Sequence, residues 1–194
     1  MQRVAHRRNT LDALAATPRH LGIEMDVRTH RGRVVVAHDP FEDGPDLGSW
    51  LDAYDHALLI VNVKAEGVEQ LVLPELRARG IEDFFFLDVS MPALWKLVRA
   101  GESRVAVRVS ELEPVAGARR LAGRCRWAWV DGFFGFSADA GMLEALAEDG
   151  YRTCLVSPEL HGRPVDDIDG YRAHCEALGW TPDAVCTRHP ERWV

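Results

Sequence analysis

Residues 22–39 read GIEMDVRTHRGRVVVAHD. Two strand-like runs, Gly22–Arg28 and Arg33–His38, are separated only by Thr29-His30-Arg31-Gly32. That spacing suits a hairpin and is far too short for a parallel crossover. Further strand-like segments stand at 3–7, 58–64, 84–89, 104–110, 127–133, 153–157 and 184–187, with helix-like patterns between most of them. Counting the second run of the hairpin as an extension of the first leaves eight strand–helix units, the number that closes a parallel barrel.

The helical patterns cover 9–17, opened by Asn9 as a cap, 67–79, with Val68, Leu71, Leu73 and Leu76 on one face, 92–100 and 138–149. Gly80, Gly101 and Gly150 follow three of them, where a left-handed cap is expected. His161–Gly170 reads as a loop. The expectation is a compact (β/α)8 barrel occupying residues 1–194 as one domain, with some helices short or missing. An open doubly wound sheet is the alternative, and it needs fewer strands or a longer chain.

A net charge of −7 and a pI near 5.6 exclude a general binder of nucleic acid or of anionic membranes. No apolar run is long enough to span a bilayer and no signal-peptide pattern opens the chain, so stable membrane insertion is not expected and a cytoplasmic location is. Cys125, Cys154, Cys175 and Cys186 lack CxxC spacing and read as buried free thiols. Lysine occurs only at 64 and 96, and arginine supplies every other positive side chain. The sequence leaves the oligomeric state open.

The polar residues fall at the carboxyl ends of the strands: His6-Arg7, Glu24 and Asp26, His38-Asp39, Asn62 and Lys64, Asp88, Arg108, Asp131 and Glu159. A parallel barrel gathers those ends at one mouth. Strand alternation places Glu24 with Asp26, and Asn62 with Lys64, on shared faces. Such a mouth can hold Mg²⁺ or Ca²⁺ through carboxylate oxygens and an anion through Arg7 and Lys64. Arg108 is either a second phosphate contact or a solvated strand end, and Glu159 a ligand or a hydrogen-bonder. Asp88 and Asp131 are equally readable as helix caps. Trp127 and Trp129 share a face that is expected to pack against the outer helices, whereas His161 has no claim beyond surface or packing roles.

Ala5-His6-Arg7 with Asn9-Thr10, Glu24-x-Asp26, His38-Asp39 and the tail Val185–Pro190 together resemble the glycerophosphodiester phosphodiesterases, relatives of the phosphatidylinositol-specific phospholipases C. The resemblance is strong over 4–39, recognisable at 59–64 and 184–190, and weak between. It implies a (β/α)8 barrel and metal-dependent hydrolysis of a small phosphodiester that carries a neighbouring alcohol. His6 and His38 match the family's acid/base pair, Arg7 and Lys64 its phosphate contacts, and Glu24 and Asp26 two of its metal ligands.

Three positions depart from the family pattern. Arg8 replaces a glycine and adds positive charge near the expected phosphate. Asn62 stands where the family has a third acidic ligand; its carboxamide oxygen can still ligate, with Asp131 or Glu159 as a substitute across the mouth. The insertion after His38-Asp39 is reduced to Pro40–Asp55, which removes a lid or platform. These departures support a second reading, a weak or inactive barrel that binds a phosphorylated sugar or lipid headgroup.

Overall fold

The computed structural model describes residues 1–194. Its first half runs β1 (Gln2–Ala5), α1 (Leu11–Ala15), β2 (Gly22–His30), β3 (Arg33–Val36), α2 (Leu47–Asp52), β4 (Leu59–Val63), α3 (Glu69–Ala78), β5 (Phe84–Leu87) and α4 (Met91–Arg99). The second half adds β6 (Ala106–Val109), α5 (Val115–Arg119), β7 (Trp127–Val130), α6 (Ala140–Glu148), β8 (Arg152–Val156), α7 (Asp167–Ala177) and β9 (Ala184–Thr187). Single 3₁₀ turns follow β8 and β9, at Pro158–His161 and Pro190–Arg192.

The strands lie in the order β5-β4-β2-β1-β9-β8-β7-β6, with β3 paired only to β2. β1 is parallel both to β2 and to β9, so the two ends of the chain meet inside one (β/α)8 barrel. The hairpin that decided the count is present: Thr29 faces Val34 and His30 faces Arg33 across an antiparallel pair. Its tip, Arg31-Gly32, has φ of 47° and 79° at its two residues. A positive φ at both central positions belongs to the turn whose twist matches the flanking strands. Between β5 and β6 a single bridge, Phe86 to Val105, closes the ring. There the Phe86 N–H donates to the Arg104 carbonyl at 2.9 Å.

Alternation along the strands divides the apolar residues into two cores. Thirty-six buried residues, including Ile23, Met25, Val61, Phe84, Phe86 and Val185, fill the layer between barrel and helices. Twelve others, including Val4, Ile60, Phe85, Trp127, Trp129, Cys154 and Cys186, fill the barrel itself. The expectation for Trp127 and Trp129 is therefore corrected: both indoles point inward, and Ala128 faces the helices. Small residues elsewhere inside the barrel, such as Gly22, Ala106 and Ala184, leave the width that two indoles occupy. At Gly22 a Cβ would stand 2.9 Å from Val4 Cγ2 and 3.0 Å from the Leu58 carbonyl oxygen, so no larger residue fits there.

Several local expectations shift. Thr10, not Asn9, caps α1, accepting from the Ala13 N–H. On α3 the buried stripe is Val68, Val72 and Leu76, and Leu71 is solvent-facing. The second half of 161–170 belongs to α7, whose first turn carries Asp167 and Asp169 against the positive helix end. Residues 40–55 contain α2, capped by Asp46, and the buried Trp50 indole N–H donates to the Arg8 carbonyl at 3.1 Å. All four cysteines are free and buried. No helix is long and apolar enough to cross a membrane.

Candidate active site

β1 ends at Ala5, and the next two residues turn the chain over the barrel mouth. Arg7 adopts a left-handed backbone, φ 56°, which an arginine rarely takes. The turn aims the Arg7 N–H at Glu24 Oε2, 2.7 Å away, and leaves the guanidinium Nε 3.5 Å from Asp26 Oδ2. Glu24 and Asp26 lie on the inner face of β2, both fully buried. Asn62 on β4 is the register partner of Asp26, and its amide donates to Glu24 Oε1 at 2.9 Å. His6 Nε2 stands 3.8 Å from Glu24 Oε2.

Sequence reading missed one member of this group. The Asn9 carboxamide grips Asp26 at two points, donating to Oδ2 and accepting from the Asp26 N–H. An asparagine next to a helix start is read locally as a cap, and nothing nearby in sequence announces a partner seventeen residues on.

Burial and the adjacent Asp26 push the Glu24 carboxyl well above the ordinary carboxylate range. The same burial, together with Arg7, Arg188, His38 and Lys64, lowers His6 to about 3. His6 is thus a neutral imidazole at physiological pH, with its Nδ1 buried and unpartnered. His38 is more open, and its Nδ1 lies 2.8 Å from Asp39 Oδ1. That hydrogen bond lowers the Asp39 carboxyl. With Asp39 ionised, His38 Nδ1 must donate. Lys64 bridges the two sides of the mouth, 3.7 Å from Asp26 Oδ1 and 3.3 Å from Asp88 Oδ2.

Across the mouth, Arg108 is held by Asp88 and Asp131, with Glu113 3.7 Å from its Nε. Asp131 also takes His161 Nε2 at 2.5 Å, and the His161 ring packs on Phe133 at 5.2 Å between centroids. Asp88 and Asp131 are therefore counter-charges and not helix caps; α6 is capped by Asp139. Arg108 reaches the mouth as expected, but carboxylates already surround it, so its charge is not available to a phosphate in the way that of Arg7 is. His161 is a third histidine at the mouth. It follows β8 by a 3₁₀ turn that folds back toward the barrel, a path invisible in the sequence.

His6, Arg7, Glu24, His38, Asn62, Lys64 and Arg108 line one cavity of about 140 Å³ at the carboxyl ends of the strands. Asp26, fully buried, is not among the residues that line it. Glu159 is outside it: one carboxylate oxygen accepts from the Thr187 hydroxyl and the Arg188 N–H, and the other from the Ser157 hydroxyl. Its role is to tie β8 to β9, which corrects the expectation of a ligand. Arg8 also lies outside the cavity and lines a separate cleft beside Pro18 and Arg188.

A hard cation can be tested against this donor set. Asp26 Oδ1 and Asn62 Oδ1, on paired strand positions, are buried without a hydrogen-bond partner, with Lys64 Nζ 3.7 Å from the first. Buried acceptors without partners cost about 1–3 kcal/mol each, and oxygen coordination to Mg²⁺ or Ca²⁺ removes that cost. No three His, Cys, Asp or Glu side chains form a metal-holding group by themselves. The oxygen donors gathered on β2 and β4 are Glu24, Asp26 and the Asn62 carboxamide, with Glu24 Oε1 accepting from the Asn62 amide and Oε2 from the Arg7 N–H.

Three solved structures share the fold. A glycerophosphodiester phosphodiesterase from Agrobacterium tumefaciens str. C58 aligns with a TM-score of 0.68 at 17% identity, covering 100% of this chain and 99% of that one. A glycerophosphoryl diester phosphodiesterase from Parabacteroides distasonis ATCC 8503 aligns at 0.67 and 14%, covering 98% and 84%. Another chain from the Agrobacterium strain, provisionally described as a glycerophosphoryl diester phosphodiesterase, aligns at 0.70 and 16%, covering 98% and 94%. No protein-family model and no curated protein matches this chain.

Proposed function

We propose that this barrel is a metal-dependent phosphodiester hydrolase acting on a small glycerophosphodiester-like substrate, a short and divergent member of the glycerophosphodiester phosphodiesterases. The observation that carries the reading is the convergence of His6, His38, Arg7 and Lys64 with Glu24 and Asn62 on one phosphate-sized cavity. The fold shared with phosphodiesterases over nearly the whole chain supports it. The four buried thiols suit a reducing compartment such as the cytoplasm.

Arg7 and Lys64 hold the phosphodiester as point charges on opposite sides of Asp26. Binding this anion offsets part of the positive field that keeps His6 from accepting a proton, so the imidazole becomes more basic when substrate arrives. His6 takes the proton of the substrate hydroxyl beside the phosphate. The hydroxyl oxygen bonds to phosphorus, the bond to the departing alcohol breaks, and His38 protonates that leaving oxygen. Asp39 steadies His38 through this change of charge. In the second step His38 takes a proton from water, water opens the cyclic phosphate, and His6 returns its proton to the ring oxygen that leaves. Two imidazoles divide these duties because only imidazole exchanges a proton readily near neutral pH. Glu24, Asp26 and Asn62 would hold the Mg²⁺ or Ca²⁺, which supplies Lewis-acid charge at a phosphoryl oxygen.

The test is a panel of phosphodiesters with Mg²⁺, Ca²⁺ or chelator, read as free alcohol. Release that requires both a divalent cation and a hydroxyl beside the phosphate is expected. Tight retention of a phosphorylated ligand with no product under any metal would replace the hydrolase by a binding barrel.

A further inference from the structure

Only a 3₁₀ turn, Pro190–Arg192, follows β9, and α1, which follows β1, has five residues. The outer side of the β1–β9 seam is therefore thinly covered, and a cleft of about 470 Å³ remains between α1 and that turn. Arg3 shares the outward face of β1 with Ala5 and lines the cleft, as do Arg8 and Arg188 from the carboxyl ends of the same two strands. Arg3 and Arg188 donate only to backbone carbonyls, of Pro190 at 3.3 Å and of Glu159 at 3.5 Å. Arg8 Nε is buried with no hydrogen-bond partner. None of the three guanidiniums has a carboxylate partner. The one acid in the lining, Glu191, is engaged by His189, whose Nδ1 is 3.2 Å away. Arginines elsewhere are held by acids, Arg104 by Glu82 and Glu102 and Arg108 by Asp88 and Asp131. The cleft has no lining residue in common with the barrel mouth.

We infer that this cleft binds a second ligand, separate from the substrate of the mouth: a phosphate monoester on a small hydroxylated body, such as a sugar phosphate. Three guanidiniums against one carboxylate leave two positive charges, and a phosphate monoester carries about −1.5 to −2 at pH 7. A diester, with a single charge, matches the cleft less well. Guanidinium forks suit the terminal oxygens of a phosphate, and hydrogen bonds to a charged acceptor are the strong ones. A buried donor such as Arg8 Nε is costly until an acceptor reaches it. The volume is more than three times the roughly 140 Å³ of the mouth cavity, so an organic body fits beside the phosphate. The lining left for that body is small and partly polar, formed by Ala13, Ala16, Thr17, Pro18 and His20. The site stands independently of the chemistry assigned to the mouth.

The test is calorimetric titration of the full chain, in chelator at low salt, with glucose 6-phosphate, inorganic phosphate and dimethyl phosphate. Saturable binding of glucose 6-phosphate is expected, and it should persist in Arg7→Gln/Lys64→Gln, which removes the anion contacts of the mouth. Arg8→Gln and Arg188→Gln should each weaken it at least about tenfold, the loss expected for a hydrogen bond to a charged group. Ala16→Glu, at an exposed position of the lining, removes no arginine but sets a carboxylate among them, and should abolish binding in the parent chain. Dimethyl phosphate, with one charge, should bind at least about tenfold more weakly than glucose 6-phosphate. No saturable binding to the parent chain, loss of binding in Arg7→Gln/Lys64→Gln alone, or binding that survives both Arg8→Gln and Ala16→Glu overturns the site. Inorganic phosphate bound as tightly as glucose 6-phosphate overturns the organic body, and dimethyl phosphate bound as tightly overturns the preference for a monoester.

Discussion

Asn9 and Asp26 are joined by a two-point clamp: the Asn9 amide donates to Asp26 Oδ2 at 2.8 Å, and its oxygen accepts from the Asp26 N–H at 3.0 Å. The clamp fixes the rotation of a buried carboxylate and leaves its other oxygen, Oδ1, without a hydrogen-bond partner, 3.7 Å from Lys64 Nζ. Groups that orient a ligand in this way commonly carry about 10- to 100-fold of metal affinity or activity. Asn9→Ala is expected to lower kcat by that factor and to raise the Mg²⁺ concentration needed for half-maximal rate. Loss of stability with unchanged Mg²⁺ dependence would make Asn9 merely structural.

His6→Ala and His38→Ala each remove one partner of the proton exchange. Each should reduce turnover by about 10²-fold or more while phosphate-analogue binding persists. Full activity in both variants would eliminate the proposed proton path.

Asn62→Asp places a third carboxylate against Glu24 and Asp26, in the space where the amide now donates to Glu24. Without metal, like charges repel and the thermal midpoint should fall; with metal, the added charge should tighten binding. The measurement is the midpoint with chelator and with Mg²⁺. A smaller metal-induced rise in Asn62→Asp than in the parent chain would remove Asn62 from the proposed ligand set.

Stability should respond to pH on both sides of the mouth. His6 is lowered from 6.5 to about 3, so between those values the unfolded chain binds a proton that the folded chain refuses. Stability is full above pH 6.5 and is lost as pH falls through that window. Glu24 is raised above 4.5, so the folded chain keeps a proton the unfolded chain gives up, and stability declines as pH climbs beyond 4.5. The two slopes oppose each other where they overlap. In chelator, His6→Asn should flatten the acid limb and Glu24→Gln the alkaline one, read from urea midpoints across pH 4–9. Unchanged limbs would mean that these groups titrate normally in the fold.

Arg108→Ala would leave Asp88 and Asp131 facing one another without the guanidinium between them. Asp131 is buried while Arg108 and Asp88 stay partly open to solvent, so removing the guanidinium is expected to cost about 1–3 kcal/mol, the range for a buried acceptor left without its partner. A loss of that order in urea unfolding is expected, and an unaltered midpoint would place the Arg108 contacts among weak surface pairs.

The barrel was legible because its evidence is local. Period-two alternation marks each strand, the four-residue Thr29–Gly32 connection forces a hairpin, and polar residues at strand ends name a mouth once the strands are parallel. The partners of those residues were less legible. Trp127 and Trp129 alternate together in sequence, but alternation states only that they share a face and not which face turns inward. Glu159 stands at a strand end like Glu24, yet the Thr187 hydroxyl and the Arg188 N–H occupy it from a strand twenty-eight residues later. His161 was passed over because its route to Asp131 depends on how one turn folds back.

The sequence by itself determined the eight-unit architecture and the chemical inventory of the mouth, since hydrophobic period and residue type are properties of neighbours along the chain. Tertiary structure alone decided which acids are neutralised by arginine, which buried oxygens stay free and where arginines gather without a paired acid. Those outcomes depend on strand stagger and on how tightly the last pair closes, and such distances are set only when residues far apart in sequence are packed together.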